Sequence, residues 1–429
     1  MSSLTVTLIL FSLLLLLLFL NVPLVVSIGL PTALIMLGSG MKVATLAQRT
    51  YASVDSFTLM AIPFFMLAGK LMEVGGMSKR IVRLADCLVG WMAGGLAHVI
   101  VVASAFFGAL SGSAAATTAA IGSTLIPEMK KRGYPADFVA GIQAVASALG
   151  VIIPPSITMI MYGVCSSTSI GKLFMAGIVP GIVLALFLMV TIAYQAKKRK
   201  ISQMNTFTFK ELGAAFLDAI PALLVPTIIL GGIYGGIFTP TEAGAVAATY
   251  GFLAGAFWYK EINLQNIGNI MGGAIVNTVL VMIVVGASGA FSWLLTSAGV
   301  SSLLGKAISA IAGNKYIFLL VANLIFIFIG MFIESVAGIL IVTPILLPIA
   351  TSLGVDPVHF GIIMVVNLAL GLTTPPVGEN QYIAAAIAEI PFEEEVKASI
   401  PFLIAGFAAL AVITYVEPLS LWLPGILGM

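Results

Sequence analysis

Charge is scarce in this chain. Only 8% of its 429 residues are charged, 19 basic and 17 acidic, while 60% are hydrophobic and the mean hydropathy is +1.15. A soluble domain carries about 25% charged residues. So few charges cannot cover a water-facing surface of this size, which excludes soluble enzymes, nucleic-acid binders and disordered chains. Histidine and cysteine are scarcer still. His98 and His359 belong to no HExxH pattern, and Cys87 and Cys165 give neither a disulfide framework nor a zinc spacing. There is no GxSxG elbow and no Walker loop. The chain is therefore expected to be no enzyme, to need no cofactor, and to power any transport by something other than ATP bound to itself.

What the sequence has is long apolar runs. They are continuous rather than alternating, which favours membrane-spanning helices over a β-barrel. The first run, Leu4 to Leu20, lacks a basic residue before it and a small-residue cleavage box after it, so it reads as a retained helix rather than a signal peptide. The one sizeable polar linker runs from Lys197 to Glu211 and divides the chain near its middle. Residues 300–312 read as a short interfacial helix. Trp258, Trp293 and Trp422 read as interfacial anchors, and Lys70 as a side chain reaching for the membrane surface.

Sliding the sequence against itself until Pro127 meets Pro348 also aligns Leu149-Gly150 with Leu370-Gly371, Pro154-Pro155 with Pro375-Pro376 and Pro180 with Pro401. A similar trace places Leu71–Gly76 on Leu294–Gly299. This implies an internal repeat with halves 1–205 and 206–429. Equivalent loops differ in charge: Lys130-Lys131-Arg132 falls on Thr351-Ser352-Leu353. Basic loops stay cytoplasmic, so the two repeats are expected to have inverted topology. The Lys79-Arg80-Arg83 and Lys197–Lys200 clusters then also lie inside. Five crossings per half place both termini on the periplasmic side. The runs 88–127 and 316–347 each return to the side they left, as two full crossings or as re-entrant hairpins. The small net charge of +2 hides a split, with 15 basic and 5 acidic residues over 1–210 and 4 and 12 over 211–429.

Four breaks interrupt the apolar segments: Ser111-Gly112-Ser113 in 88–127, Pro154-Pro155-Ser156 in 137–165, Glu334-Ser335 in 316–347, and Thr373 to Gly378 in 358–388. Proline removes a donor and clashes one turn back. The freed backbone survives in a membrane only against protein or a cavity. Carbonyl and hydroxyl oxygens at such breaks suit a hard cation such as sodium, and half-helix N-termini suit a carboxylate. Glu334 and Glu379 are the carboxylates nearest the second pair of breaks. Glu242, after Thr239-Pro240, reads better as a helix cap, and Asp218 as structural.

At these residues the chain resembles the large membrane subunit of the tripartite ATP-independent periplasmic (TRAP) transporters. The matching stretches are Ile62 to Gly69, Ser111 to Ala114, Ile153 to Ser156, Phe238 to Ala243 and Thr374 to Gly378. The resemblance implies an all-α polytopic fold of the elevator ion-transporter type, with two inverted repeats, each of about five crossings plus a re-entrant helical hairpin. It implies sodium-coupled import of an organic acid, of the sialic acid or C4-dicarboxylate class, across the bacterial inner membrane. A periplasmic binding protein delivers the carboxylate solute, and a small four-helix membrane subunit packs alongside. By position, Ser111, Gly112, Ser113, Pro154, Pro155 and Ser156 line one sodium site. Glu334, Ser335, Thr373, Thr374, Pro375, Pro376, Val377 and Gly378 line the other, and sodium is the only metal. Ser111, Ser113, Ser156, Ser335, Thr374 and Glu379 meet the substrate. The sequence departs from the family at Glu379-Asn380-Gln381-Tyr382, which is more polar than usual, and at Ser335, where proline is frequent. A binding-protein-independent sodium/dicarboxylate symporter and an ion channel are the alternatives.

Overall fold

A computed structural model of the chain describes residues 2–20, 22–201, 207–300, 303 and 313–428. The interfacial helix expected over 300–312 lies almost wholly outside the described residues. Every regular element among them is helical: α1 (Ser3–Phe19), α2 (Leu24–Gly38), α3 (Val43–Val54), α4 (Ala61–Val74), α5 (Met77–Val89), α6 (Leu96–Ser111), α7 (Ala114–Lys131), α8 (Ala136–Ala146), α9 (Leu149–Ile152), α10 (Ile157–Ser166), α11 (Ile170–Lys198), α12 (Phe209–Tyr234), α13 (Pro240–Leu253), α14 (Ile267–Ser297), α15 (Lys315–Gly330), α16 (Ser335–Ser352), α17 (Pro357–Gly371), α18 (Glu379–Ala388), α19 (Phe392–Tyr415) and α20 (Pro418–Ile426). Among the described residues, five helices are long and apolar enough to cross a membrane, or seven if each bent pair counts as one span. The outward surface of α14 carries Ile275, Val276, Val279 and Ile283, each more than half exposed. Such a surface suits lipid rather than water.

The helix ends recur with the spacing of the sequence repeat. Helices α7 and α16 both have 18 residues, and their starts, Ala114 and Ser335, keep the register that aligns the two Pro-Pro pairs. The starts of α8 and α17, Ala136 and Pro357, keep it too. Both Pro-Pro bonds, Pro154-Pro155 and Pro375-Pro376, are cis. Packing is crosswise, α7 against α18 and α10 against α16, so the helix after each tip lies on the helix after the other Pro-Pro break.

The first hairpin occupies Leu96–Lys131 rather than 88–127. Residues 88–95 finish α5 and then turn, with Gly94 and Gly95 at φ +91° and +26°. The segments Val43–Val54 and Thr58–Val74 form a pair bent by 62°. Its first arm, α3, buries no residue. On the expected site, the broken helix 137–165 does break between Ile152 and Ile157, and 358–388 between Gly371 and Glu379.

Several charged and polar groups are structural. Thr239 and Glu242 form a capping box: the Thr239 hydroxyl accepts from the Glu242 N–H at 3.3 Å, and the carboxylate accepts from the Thr239 N–H at 2.8 Å. Thr239→Ala should therefore lower stability by about 1 kcal/mol, read as a small fall in the melting temperature of the detergent-purified protein, with solute affinity unchanged. Asp218 pairs with Arg80 and Arg83, both at 3.5 Å, and the Arg80 guanidinium stacks 3.8 Å from the centroid of Tyr259. The histidines are core groups: His98 and His359 each place Nε2 3.1 Å from a backbone carbonyl, of Ala93 and Thr414 respectively. Trp258 and Trp422 are exposed, as interfacial anchors are. Trp293 instead faces a cavity, with Arg49 4.8 Å from its ring centroid.

Candidate functional site

The breaks meet around one cavity of about 450 Å³. Its wall includes Ser111, Gly112, Ser113 and Ala114 from the first hairpin tip, Ile157 and Thr158 just after the first Pro-Pro break, Glu334 and Val336 from the second tip, and Leu372 and Glu379 from either side of the second break. Further wall comes from α4, through Met66, Gly69, Lys70 and Glu73, and from α14, through Asn277, Leu280 and Val281.

The backbone explains why the breaks sit there. Each starts a new helix, and three of the four starts are capped by a residue expected at the site. The Ser113 hydroxyl accepts from Ala116 N–H at 3.4 Å, that of Ser156 from Met159 N–H at 3.3 Å, and the Glu334 carboxylate from Val336 N–H at 2.9 Å. Gly378, with φ +54°, opens α18 without a side-chain cap. Four helix N-termini, those of α7, α10, α16 and α18, thus start at the breaks, with N–H groups that no intrahelical carbonyl satisfies.

Close backbone approach holds each hairpin to its broken helix. A Cβ on Gly108 would lie 2.7 Å from Gly150 Cα, and one on Gly371 2.5 Å from Gly330 Cα. The two glycine contacts are near counterparts in the repeat. At the first tip Gly112, with φ +63°, would place a Cβ 3.0 Å from the Pro155 carbonyl oxygen, so tip and Pro-Pro break touch through main chain.

Of the expected residues, Ser111, Gly112, Ser113, Glu334 and Glu379 line the cavity directly. Pro154, Pro155 and Ser156 are buried directly behind the first tip, and Ser335 and Thr373 are fully buried, one layer back from the wall. Thr374, Pro375, Pro376 and Val377 are partly or fully exposed and also stand off the wall, while Gly378 is buried.

The oxygen chemistry of these residues fits a hard cation. The Ser335 hydroxyl is buried with no protein partner. Thr373 and Thr374 both donate to the Leu370 carbonyl at 2.7 Å, which spends the hydroxyl protons and leaves their lone pairs free. Asn380 has both side-chain polar atoms buried and unpartnered, and its neighbour Gln381 donates to Ser399 at 2.9 Å while its own oxygen stays unpaired. Among the described residues no cluster of three His, Cys, Asp or Glu could hold a metal.

Sequence reasoning missed Lys70, Glu73 and Asn277 as wall residues. Nothing local marks them, because α4 and α14 reach the cavity only through tertiary packing. The buried polar residues Gln143, Glu395 and Ser399 on α8 and α19 also carried no site expectation, because Glu395 reads as part of the charged stretch Glu393 to Lys397.

The family model described as tripartite ATP-independent periplasmic transporter, DctM component, matches residues 8–419. The C4-dicarboxylate TRAP transporter large permease protein DctM of Pseudomonas aeruginosa is 42% identical over 404 residues, covering 94% of this chain and 95% of that protein. The sialic acid TRAP transporter large permease protein SiaM of Vibrio cholerae is 37% identical over 378 residues, 88% of each. The isethionate TRAP transporter permease protein DctMQ of Oleidesulfovibrio alaskensis is 42% identical over 410 residues, covering 94% of this chain and 64% of that protein. Among solved structures, the YdaH transporter of Alcanivorax borkumensis superposes with a TM-score of 0.64 over 88% of this chain and 89% of its own, at 14% identity, which establishes a shared fold. The chain is a membrane protein and belongs to the DctM component family of the tripartite ATP-independent periplasmic transporters.

Proposed function

We propose that the chain is the sodium-coupled large permease of an organic-acid importer. The observation that carries this reading is the convergence of two hairpin tips and two Pro-Pro breaks, one of each from either half of the repeat, on one cavity. Ser111, Gly112, Ser113 and Pro154 to Ser156 would hold one sodium ion. Glu334, Ser335 and Thr373 to Gly378 would hold the second. Ser111, Ser113, Ser156, Ser335, Thr374 and Glu379 are the proposed substrate contacts. Bound sodium supplies positive charge beside the solute and couples its movement to the ion gradient, at about 2.3 kcal/mol per charge per 100 mV.

Cavity electrostatics support cations entering before the solute. The lining carries one ammonium, Lys70, and three carboxylates, Glu73, Glu334 and Glu379. An organic anion meets net repulsion there until cations are bound. The wall from α4 is its C-terminal half, directly ahead of the basic Lys79, Arg80 and Arg83 of α5. With basic loops inside, the cavity faces the cytoplasm and both termini face the periplasm. The two repeats are then inverted, and the hairpins with α8–α10 and α17–α18 form the moving body of an elevator against α1–α4, α13 and α14. The hairpins dip into the membrane and return.

The relatives extend the reading to partners and solute. A small four-helix membrane subunit and a periplasmic binding protein are the expected companions in the inner membrane. The solute is an acid of the C4-dicarboxylate or sialic acid class, and the isethionate relative puts a sulfonate within reach of this kind of protein. Reconstituted vesicles carrying the permease and its small subunit test this. Uptake is expected only with an inward sodium gradient and a loaded binding protein. Concentrative uptake without the binding protein would move the assignment to a self-sufficient symporter, and passive uptake that ignores sodium to a channel.

A further inference from the structure

We propose that Lys70 is the fixed cation that receives the acid group of the solute, and that Glu73 holds its ammonium until the solute arrives. The inference rests on the reading of the cavity as an organic-acid site. Among the described residues, Lys70 is the only basic one on the cavity wall. It stands beside the first hairpin tip, because its neighbour Gly69 would place a Cβ 3.3 Å from Ser111 Cα. Its stem runs along α14, with Cε 3.5 Å from where a Cβ on Gly273 would lie.

The ammonium donates to both Glu73 carboxylate oxygens, at 3.2 and 3.0 Å. Both side chains are about one-third exposed (32% and 30%). A pair this wet is held weakly, so an incoming acid exchanges one carboxylate partner for another at little cost. The chemistry also suits a varied solute class. An ammonium is a compact point charge on a flexible four-carbon stem, and it accepts a carboxylate or a sulfonate without the planar match that a guanidinium demands.

The repeat makes this device one-sided. A second cavity, of about 370 Å³, is lined by Gly289, Ser292, Trp293 and Thr296. In the register that aligns Leu71 with Leu294, these positions are the counterparts of Met66, Gly69, Lys70 and Glu73. The ammonium is replaced by an indole and the carboxylate by a hydroxyl. Lys70 therefore acts on the solute from one face of the barrier.

Vesicles of defined orientation, carrying the full chain with its small subunit, separate the two faces. The probes are labelled malate, N-acetylneuraminate and isethionate in solute exchange. With the Lys70 cavity facing the bath, Lys70→Gln should raise the half-saturating solute concentration about 10-fold or more, and Lys70→Arg should keep it within about threefold. Glu73→Gln should lower it, because the ammonium is released. With the opposite face to the bath, Lys70→Gln should leave the value unchanged. An unchanged value for Lys70→Gln at the cavity face, an equal rise at both faces, or a rise for Glu73→Gln overturns the inference while leaving acid transport in place. Failure of the wild-type protein to exchange any of the three removes the acid-site reading and the inference with it.

Discussion

Gly150→Val and Gly371→Val are each expected to reduce sodium-driven uptake to a few per cent of wild type or less. The cause is geometric. A Cβ on Gly150 would press on the Thr117 hydroxyl and lie 2.8 Å from the main-chain Ser113 carbonyl oxygen, and one on Gly371 would lie 2.5 Å from Gly330 Cα. Main chain cannot rotate away as a side chain can, so the hairpin and its broken helix must separate. Overpacking of this kind costs about 1–3 kcal/mol and sometimes more. Here the displacement falls on the tips themselves, moving Ser111, Ser113 and Glu334 off the positions that define the cavity. Gly272→Ala is the control: no atom lies within 4 Å of a Cβ there, and uptake should stay within about twofold of wild type. Wild-type uptake by both valine variants would mean that the glycine contacts do not set the site.

The second large effect concerns Glu334. Its carboxylate caps α16 through Val336 N–H and faces the cavity at the second tip. Glutamine keeps an acceptor oxygen for the cap and removes the charge, so Glu334→Gln isolates electrostatics from folding. If Glu334 neutralises sodium at the second site, the sodium concentration for half-maximal uptake should rise about 10-fold or more, equivalent to about 1.4 kcal/mol. The solute dependence at saturating sodium should change far less. Glu334→Ala removes cap and charge together and is expected to lose stability as well. A Glu334→Gln protein with wild-type sodium dependence would restrict Glu334 to its capping role.

The features legible in the sequence are those in which backbone chemistry dictates the outcome. Proline and glycine cannot sit in an apolar helix without leaving a mark, so Pro154-Pro155, Pro375-Pro376, Gly112 and Gly378 announced the helix breaks. The Thr239–Glu242 box was legible for the same reason, since a cap is written within a single turn. The cavity wall contributed by α4 and α14 was not. Lys70 and Glu73 sit three apart on an ordinary helix, and only the approach of Gly69 to Ser111 turns that face toward the tips. The sharp bend between α3 and α4 falls at Asp55 and Ser56, and α3 went unread as part of a span because Gln48, Arg49 and Thr50 interrupt its hydropathy. The first hairpin starts at Leu96 rather than at position 88 because hydropathy carries on through the turn at Gly94 and Gly95. Gln143 on α8, and Gln381 and Glu395 on the consecutive helices α18 and α19, are buried where α8 packs against both, which periodicity does not reveal.

In the proposed function, the paired breaks couple a sodium gradient to solute movement. The most direct measurement is the sodium dependence of uptake into proteoliposomes carrying wild type, Ser113→Ala or Thr374→Ala, one residue from each proposed sodium site. Sodium coupling should give concentrative uptake that collapses when the sodium gradient is dissipated, and a half-maximal sodium concentration raised several-fold in each variant. Uptake that persists without a sodium gradient, or an unchanged sodium dependence in both variants, would contradict it.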